Sequence, residues 1–200
     1  MALEIKRIVN EPMGSNCYIL YNLEHSKRCL MIDPGGSNME DYIDFMSALN
    51  LTPEWIILTH EHHDHCWSVN MLKEQYCDLK VLCSSICSER MGRATKNLSA
   101  FDERCKPFVV APADRIIDEG VFEWNGYSFE IVPTPGHTAS SISIIVGKNI
   151  FTGDEWIKDT PTFTKFPTGS AEQQVSTEAY LHSLHGFTAY GGHGDFFEIK

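Results

Sequence analysis

Short apolar runs of strand length, separated by turn-forming residues, dominate the first third of the chain. Three such runs predict strands over Leu3–Val9, Cys17–Tyr21 and Arg28–Ile32, and the turn Asp33-Pro34-Gly35-Gly36 follows the third. From Asn38 to Leu49 the apolar residues recur at helical spacing, which predicts a helix with Asn38 as its N-cap. The next run, Trp55–Leu58, is continuously apolar, which is typical of a strand buried on both faces.

The rest of the chain predicts a continued mixture of helices and strands. We expect helices over Trp67–Tyr76, Ser84–Met91 and Ala171–Leu184. We expect strands over Lys80–Cys83, Arg115–Ile117, Tyr127–Val132, Ser141–Val146, Asn149–Thr152 and Thr188–Tyr190. No repeat and no flexible linker divides the sequence. The pattern therefore predicts an α/β (α+β) protein, in which sheets pack on each other and helices lie outside them.

The charge balance excludes some classes of partner. The 200 residues include 16 Lys and Arg against 27 Asp and Glu, a formal net charge of −11. Such a chain is poorly suited to bind nucleic acid or an anionic membrane surface, so we predict neither partner. The first residues lack the apolar segment of a secretory signal, and the 7 cysteines form no CxxC pair. We therefore expect reduced thiols and a cytoplasmic location.

Histidine is the residue type that points to chemistry. Of the 9 histidines, three lie in the segment His60-x-His62-x-Asp64-His65, directly after the predicted strand Trp55–Leu58. Alternate residues of an extended segment point the same way, so His60 and His62 can share one metal ion. After a turn, Asp64 and His65 can face a second ion. Imidazole and carboxylate ligands suit zinc, iron or manganese.

Three later segments repeat the order of a strand, a tight turn and a potential ligand. They place His137 in Thr134-Pro135-Gly136-His137, Asp154 after Thr152-Gly153, and His193 in Gly191-Gly192-His193-Gly194. Glycine beside a ligand allows a tight turn and leaves room for an ion. Four such strand ends in one chain predict a metal site built from all of them.

These motifs resemble, in order and in local context, the metal signature of the metallo-β-lactamase superfamily. The chain is most similar to the small glyoxalase II-like hydrolases, and the resemblance extends from Gly14–Asn16 to the terminal Gly-His-Gly. It implies a four-layer αββα sandwich with the metals at one edge. It also implies one metallo-β-lactamase-like domain over residues 1–200, without the C-terminal helical domain that helps glyoxalase II to bind glutathione.

The resemblance further implies a centre of two divalent metal ions, with zinc expected and iron or manganese as alternatives. The first ion would be held by His60, His62 and His137, and the second by Asp64, His65 and His193, while Asp154 would bridge them. A bridging hydroxide would attack a carbonyl, with Asp64 helping to hold the water proton. Since two dications outweigh two carboxylates and one hydroxide, we expect a small anionic substrate, such as a hydroxyacylglutathione thioester.

Some features leave alternatives open. A persulfide dioxygenase-like oxidoreductase would need one iron, held by His60, His137 and Asp154. The family's Arg-x-Asp element after Asp154 is missing, so Lys158 or Lys165 either replaces it or is solvated. Cys66 is expected to be a buried thiol, His63 to point away from the first metal, and the basic segment 90–106 either to touch substrate or to be solvated. The oligomeric state is left open.

Overall fold

The strands form two six-stranded sheets in the computed structural model, which describes residues 3–200. The first sheet has the order β1-β2-β3-β4-β5-β6, with antiparallel pairing from β1 to β3 and parallel pairing from β3 to β6. Its strands are β1 (Glu4–Asn10), β2 (Ser15–Tyr21), β3 (Arg28–Ile32), β4 (Thr52–Ile57), β5 (Lys80–Cys83) and β6 (Arg115–Ile116).

The second sheet has the order β12-β11-β10-β9-β8-β7, and all its neighbours are antiparallel except β10 and β11. Its strands are β7 (Gly120–Trp124), β8 (Tyr127–Pro133), β9 (Ile142–Val146), β10 (Asn149–Gly153), β11 (Thr188–Gly191) and β12 (Phe197–Glu198). The helices of the described chain are α1 (Glu40–Leu49), α2 (His63–Cys66), α3 (Val69–Gln75), α4 (Ser85–Met91) and α5 (Ala171–His182), with a 3-10 turn at Ser99–Phe101.

The alternation of side chains along β2 and β3 divides the apolar interior into layers. Tyr18 and Leu20 face the second sheet, where they join Phe129, Ile144 and Phe151 in a core between the sheets. The intervening residues of β2 and β3 face outward and form a second core with residues of α1, α3 and α4. Because both faces of these strands are covered, every position of β2 is buried, including the polar Ser15 and Asn16.

The remaining helix covers the second sheet. Leu181 of α5 packs with Ile145, Ile150 and Ala189 on the outer face of that sheet. The layers therefore run helices, sheet, sheet, helix, which confirms the predicted four-layer αββα sandwich. Each aliphatic side chain fully buried in these cores contributes about 1.5–3 kcal/mol through the apolar area removed from water.

The predicted elements agree with the structure except at a few places. Helix α1 begins at Glu40, and Met39 stands at its N-cap without a side-chain hydrogen bond, so the prediction of Asn38 as the cap is wrong. Strands β7 and β12 were not predicted. The first forms a hairpin with β8 across Asn125 and Gly126, which both have positive φ.

Between residues 3 and 200 the longest helix is α5, with 12 residues. A bilayer-spanning helix needs about 20 apolar residues. In this part of the chain, no helix has the length and apolar character needed to cross a membrane.

Candidate metal centre

The loops that follow four strands carry the seven residues that the sequence singled out. The loop after β4 holds His60 and His62, with extended backbone at His62, and the single turn of α2 then redirects Asp64 and His65. The loops after β8, β10 and β11 supply His137, Asp154 and His193. The two sheets thus bring residues separated by more than a hundred positions to one edge of the sandwich.

The seven side chains form one continuous cluster of potential ligand atoms. Within the described chain, three groups each have their ligand atoms within 4.8 Å of one another: His60–His62–His137, His60–His65–Asp154 and Asp64–His65–His193. The first and third groups have the same members as the two predicted sites. Their roles as ligands stay a prediction, which this arrangement favours.

Asp154 lies between the two groups. Its Oδ1 is 3.4 Å from His65 Nε2, and its Oδ2 is 3.7 Å from the Nε2 atoms of both His137 and His193. Asp64 belongs to one side only, with Oδ2 at 3.3 Å from His193 Nε2 and 3.7 Å from His65 Nε2. A carboxylate with imidazoles of both groups around it has the position that a bridging ligand needs.

Unpartnered buried atoms show that the cluster fits divalent ions. The Nε2 atoms of His60 and His65 and Oδ1 of Asp154 are buried without a hydrogen-bond partner. His62 faces the cluster with Nδ1, which lies 3.0 Å from His137 Nε2. A buried polar atom that lacks a partner is costly unless something else binds it. Neutral imidazole nitrogens and carboxylate oxygens are the donors that zinc, iron and manganese accept.

The other ring nitrogen of several histidines is held by the surrounding backbone. His137 Nδ1 lies 2.8 Å from the carbonyl oxygen of Phe163, and His193 Nδ1 lies 3.0 Å from that of Gly14. A carbonyl can only accept, so both rings carry a proton on Nδ1 and present Nε2 to the cluster. These partners fix each ring with Nε2 toward the cluster. No sequence signal pointed to either carbonyl.

Asp33 plays the same part for His65, which sequence reasoning missed because it treated this residue only as part of a turn. The Asp33 carboxylate is buried, and its Oδ2 is 3.0 Å from His65 Nδ1. The same carboxylate accepts hydrogen bonds from the backbone N–H and the hydroxyl of Thr59. Thr59 Oγ1 in turn is 3.1 Å from His60 Nδ1. One carboxylate thereby orients a histidine of each side.

We expect Asp33→Asn to weaken metal binding by about 10–100-fold, because the amide removes the charge that orients and polarises the His65 ring. Competition of the protein with a chromophoric chelator measures the metal Kd. Asp44→Asn is the matched control, since Asp44 is exposed on α1. Equal affinity of the Asp33 variant and the wild type would contradict an orienting role.

Two glycines are required by close packing at the cluster. A Cβ atom added to Gly192 would lie 2.1 Å from Asp154 Oδ1 and 2.8 Å from His65 Cε1. One added to Gly35 would lie 1.5 Å from the carbonyl oxygen of Asp64. Neither position has room for a side chain, so both backbones can approach the ligand segments only as glycine.

The environment favours the metal-binding protonation state at His60, His62 and Asp154, whereas Asp154 and Asp64 outweigh burial and raise the pKa of His65 well above its ordinary value. Burial, reinforced by His137, lowers the pKa of His62 to about 3. Burial and the neighbouring imidazoles also hold the pKa of His60 well below its ordinary value. Burial raises the pKa of Asp154, but His65 and His193 outweigh it and lower the value to about 2. Neutral imidazoles and ionised carboxylates are the forms that bind metal.

Glu155, beside Asp154, helps to hold the His137 segment. Its buried carboxylate accepts a hydrogen bond of 2.6 Å from the backbone N–H of His137. Burial raises the pKa of Glu155 to about 7. No feature of the sequence marked Glu155 as a potential metal ligand. It contacts the backbone of His137 and lies outside the three groups.

The basic segment contains one residue with a clear structural role. Arg90 is buried and forms an ion pair with the fully buried Glu61, which lies between His60 and His62. Glu61 also accepts a hydrogen bond from the hydroxyl of Ser140. The Arg90 guanidinium donates weakly, at 3.4 Å, to the carbonyls of Lys96 and Pro167. Arg90 thus joins the His60–His65 loop to two neighbouring loops.

The other open alternatives are placed by the structure. Cys66 is fully buried with its thiol 3.4 Å from the carbonyl of Glu61, in agreement with the expected buried thiol. Lys158 and Lys165 are exposed, as solvated lysines are. His63 lies outside the three groups and has Nε2 at 3.2 Å from Asp102 Oδ2.

A cavity of about 560 Å³ opens beside the cluster, and His62, Asp64 and Asp154 form part of its wall. Pockets of 300–1,000 Å³ are typical for small-molecule ligands. The potential metal ligands are thus accessible to a substrate of modest size.

Comparisons with known proteins agree with this geometry. Residues 10–193 match the metallo-beta-lactamase superfamily. A probable metallo-hydrolase of Streptococcus pyogenes serotype M6 is 26% identical over 200 aligned positions, which cover 96% of this chain and 84% of that protein. A hydroxyacylglutathione hydrolase of Serratia proteamaculans is 26% identical over 148 positions, or 74% of this chain and 50% of that protein. The chain therefore spans about half the length of that hydrolase.

Among solved structures, the crystal structure of the BLEG-1 B3 metallo-beta-lactamase superimposes with a TM-score of 0.90. The identity is 26%, and the superposition covers 98% of this chain and 94% of that one. A score this high over nearly both chains means that the order of strands and helices around the cluster is shared.

Proposed function

The chain belongs to the metallo-β-lactamase superfamily, and on that premise we propose that it is a dinuclear metal-dependent hydrolase that cleaves small acyl thioesters. The observation that carries the proposal is the continuous cluster of seven potential ligands on the wall of an open cavity. Bound in the two groups of that cluster, divalent ions would activate water and polarise a carbonyl oxygen. The ion itself is proposed to be zinc, with iron or manganese as alternatives.

The residues of the chain supply position and charge for this reaction. His137 and His193 are fixed by carbonyl groups and His65 by Asp33, so their Nε2 atoms stay aimed at the cluster. The Asp64 carboxylate lines the cavity, and His65 and His193, together opposing burial, hold its pKa well below the usual range. As an ionised acceptor at the cavity wall, Asp64 can accept a hydrogen bond from the attacking water and so help to hold its proton in place.

The thioester substrate is proposed from the relatives. A hydroxyacylglutathione hydrolase matches most of this chain, although the chain spans about half of that protein. Thioesters suit a site of this kind because the thiolate leaves readily once a carbonyl has been attacked. The expected cytoplasmic location, a small anionic substrate and the absence of nucleic-acid and membrane partners stay predictions.

The second candidate is the mononuclear-iron oxidoreductase that would use His60, His137 and Asp154. The observation that favours the hydrolase over it is the group Asp64–His65–His193, whose potential ligand atoms also lie within 4.8 Å of one another and offer a place for a second ion. The oxidoreductase would need one ion without having to lose these three residues, so metal content and turnover decide between the two candidates.

The deciding experiment measures metal content per chain together with turnover on the same sample. We expect about two ions per chain and hydrolysis of thioesters, tested with S-lactoylglutathione and with neutral acyl thioesters. One iron per chain, with oxygen consumed in the presence of glutathione persulfide and no hydrolysis, would establish the oxidoreductase. Two ions without hydrolysis of any thioester would contradict the proposed substrate class.

A further inference from the structure

The cavity beside the cluster has apolar walls supplied by three loops. Met13 comes from the turn between β1 and β2, and Leu98 and Phe101 come from the segment between α4 and β6. Phe166 and Pro167 come from the segment between β10 and α5. Residues distant in the sequence therefore converge as one apolar surface next to the potential metal ligands.

The aromatic part of this surface lies directly against the ligands. The Phe166 ring is 5.1 Å from the ring of His62 and 5.8 Å from that of His137, with edge-to-face geometry. Phe101 is 71% exposed at the cavity. A ligand that covers an exposed phenylalanine at a cavity wall is bound more tightly, because the apolar area of the ring is removed from water.

The two further charges that line the cavity neutralise each other. Arg104 donates from Nε to Asp102 Oδ1 at 2.9 Å and from a terminal nitrogen to Oδ2 at 2.7 Å. Asp102 also bonds His63, and the Arg104 hydrogen bond holds the pKa of its carboxyl well below the usual range. This bidentate pair uses two of the five Arg104 donors and adds no net charge to the cavity wall.

Cations elsewhere in these loops lie outside the cavity. Lys158 and Lys165 are exposed and form no part of its wall, and Lys96 pairs with Glu89 at 2.7 Å. The glutathione moiety carries two carboxylates, and in the described chain the wall offers them no unpaired cation outside the cluster. Desolvating an unpaired carboxylate is unfavourable, whereas an apolar group would be stabilised here.

We propose that this cavity is an apolar subsite, and that the substrate carries an aromatic or branched alkyl group beside the reacting carbonyl in place of a charged glutathione tail. This inference rests on the proposed thioester hydrolysis and narrows its substrate. The apolar group can belong to the acyl side or to the thiol side, because both flank the carbonyl.

The first test compares thioesters that differ in one group. On the acyl side, acetyl, phenylacetyl and succinyl thioesters of N-acetylcysteamine are compared; on the thiol side, acetyl thioesters of benzyl mercaptan and of glutathione. We expect kcat/KM to be about 10–100-fold higher for the aromatic member of at least one series, since apolar contacts discriminate by this much. Faster cleavage of both charged members would overturn the inference while leaving thioester hydrolysis established.

Variants of the wall test which residues form the subsite. Phe101→Ala and Phe166→Ala are expected to lower the ratio of aromatic to acetyl kcat/KM by about 10-fold each. Phe196→Ala is the matched control, since Phe196 is 57% exposed and lies outside the cavity wall. Metal content is measured for each variant, because Phe166 touches two potential ligands. An unchanged ratio in both wall variants at full metal content would contradict the assignment.

A binding measurement separates the failure of this inference from that of the proposed function. Calorimetry of the metal-loaded protein compares the binding of acetate, phenylacetate and succinate. All three carry a carboxylate, to which phenylacetate adds an aromatic ring and succinate a second carboxylate. We expect phenylacetate to bind at least about 10-fold more tightly than the other two, even if no thioester is cleaved. Tighter binding of succinate would overturn the apolar subsite, whereas tight phenylacetate binding without hydrolysis would leave the subsite and refute the thioester reaction.

Discussion

Replacing Asp154 by alanine is expected to lower kcat/KM by about 1,000-fold or more, which corresponds to about 4 kcal/mol of transition-state stabilisation. Asp154 is the carboxylate with His65 on one side of the cluster and His137 on the other. Removing it takes away one negative charge and the group proposed to bridge the two metal ions. The substrate for the assay is the thioester that the wild type cleaves fastest.

Metal content and stability distinguish this effect from unfolding. We expect the Asp154→Ala variant to remain folded by circular dichroism and to contain fewer metal ions per chain, because the side chain contributes little to the apolar cores. Asp44→Ala, at an exposed position of α1, is the control and should retain full activity. Activity of the Asp154 variant near that of the wild type would show that the bridging assignment is wrong.

Arg90→Met is expected to destabilise the protein by about 3–5 kcal/mol, since it leaves the fully buried Glu61 carboxylate without its partner. That loss is a large part of the 5–15 kcal/mol that holds a typical domain folded. Methionine keeps much of the apolar stem, so the lost charge accounts for the effect. Urea unfolding of the wild type and the variant, both metal-loaded, measures the difference in their free energies of unfolding, provided that the two m-values agree.

Two further variants test the reason for this loss. Arg93→Met removes an arginine whose side chain is 62% exposed, and it should change stability by less than about 1 kcal/mol. The double variant Glu61→Leu with Arg90→Met removes both charges and should recover most of the stability, because no buried charge is left unpaired. If the double variant were no more stable than Arg90→Met, an uncompensated charge would not be the cause.

The layers of the fold could be predicted from the sequence because helices and strands differ in the spacing of their apolar residues. Continuous apolar runs such as Trp55–Leu58 are typical of strands covered on both faces, and the alternation along them assigns residues to one core or the other. The start of α1 was predicted one position too early. The expected cap was Asn38, whereas the observed cap is Met39, which makes no side-chain hydrogen bond. The unpredicted β7 alternates exposed and buried positions next to Asn125-Gly126, so its signal is present in the sequence.

The candidate ligands could also be predicted from the sequence, because histidine and aspartate beside glycine at several strand ends are typical of a metal site. The sequence did not reveal what orients them: Asp33 belongs to another strand end, and Phe163 and Gly14 contribute only backbone carbonyls. A carbonyl carries no residue-type signal, and a buried aspartate in a turn looks like any turn aspartate. Pairing across the sheets decides these contacts.

Apolar periodicity and the order of the motifs were thus enough to predict the family resemblance, the order of the layers and the types of ligand. Three contacts emerged only in the folded chain: Arg90 is buried against Glu61, Asp102 pairs with Arg104, and apolar residues of three loops line the cavity beside the candidate ligands. Periodicity and ligand chemistry are local properties of the chain, which is why they could be predicted without the fold. Whether a charge is paired, and what faces a cavity, depend on loops that meet only after the two sheets have packed together.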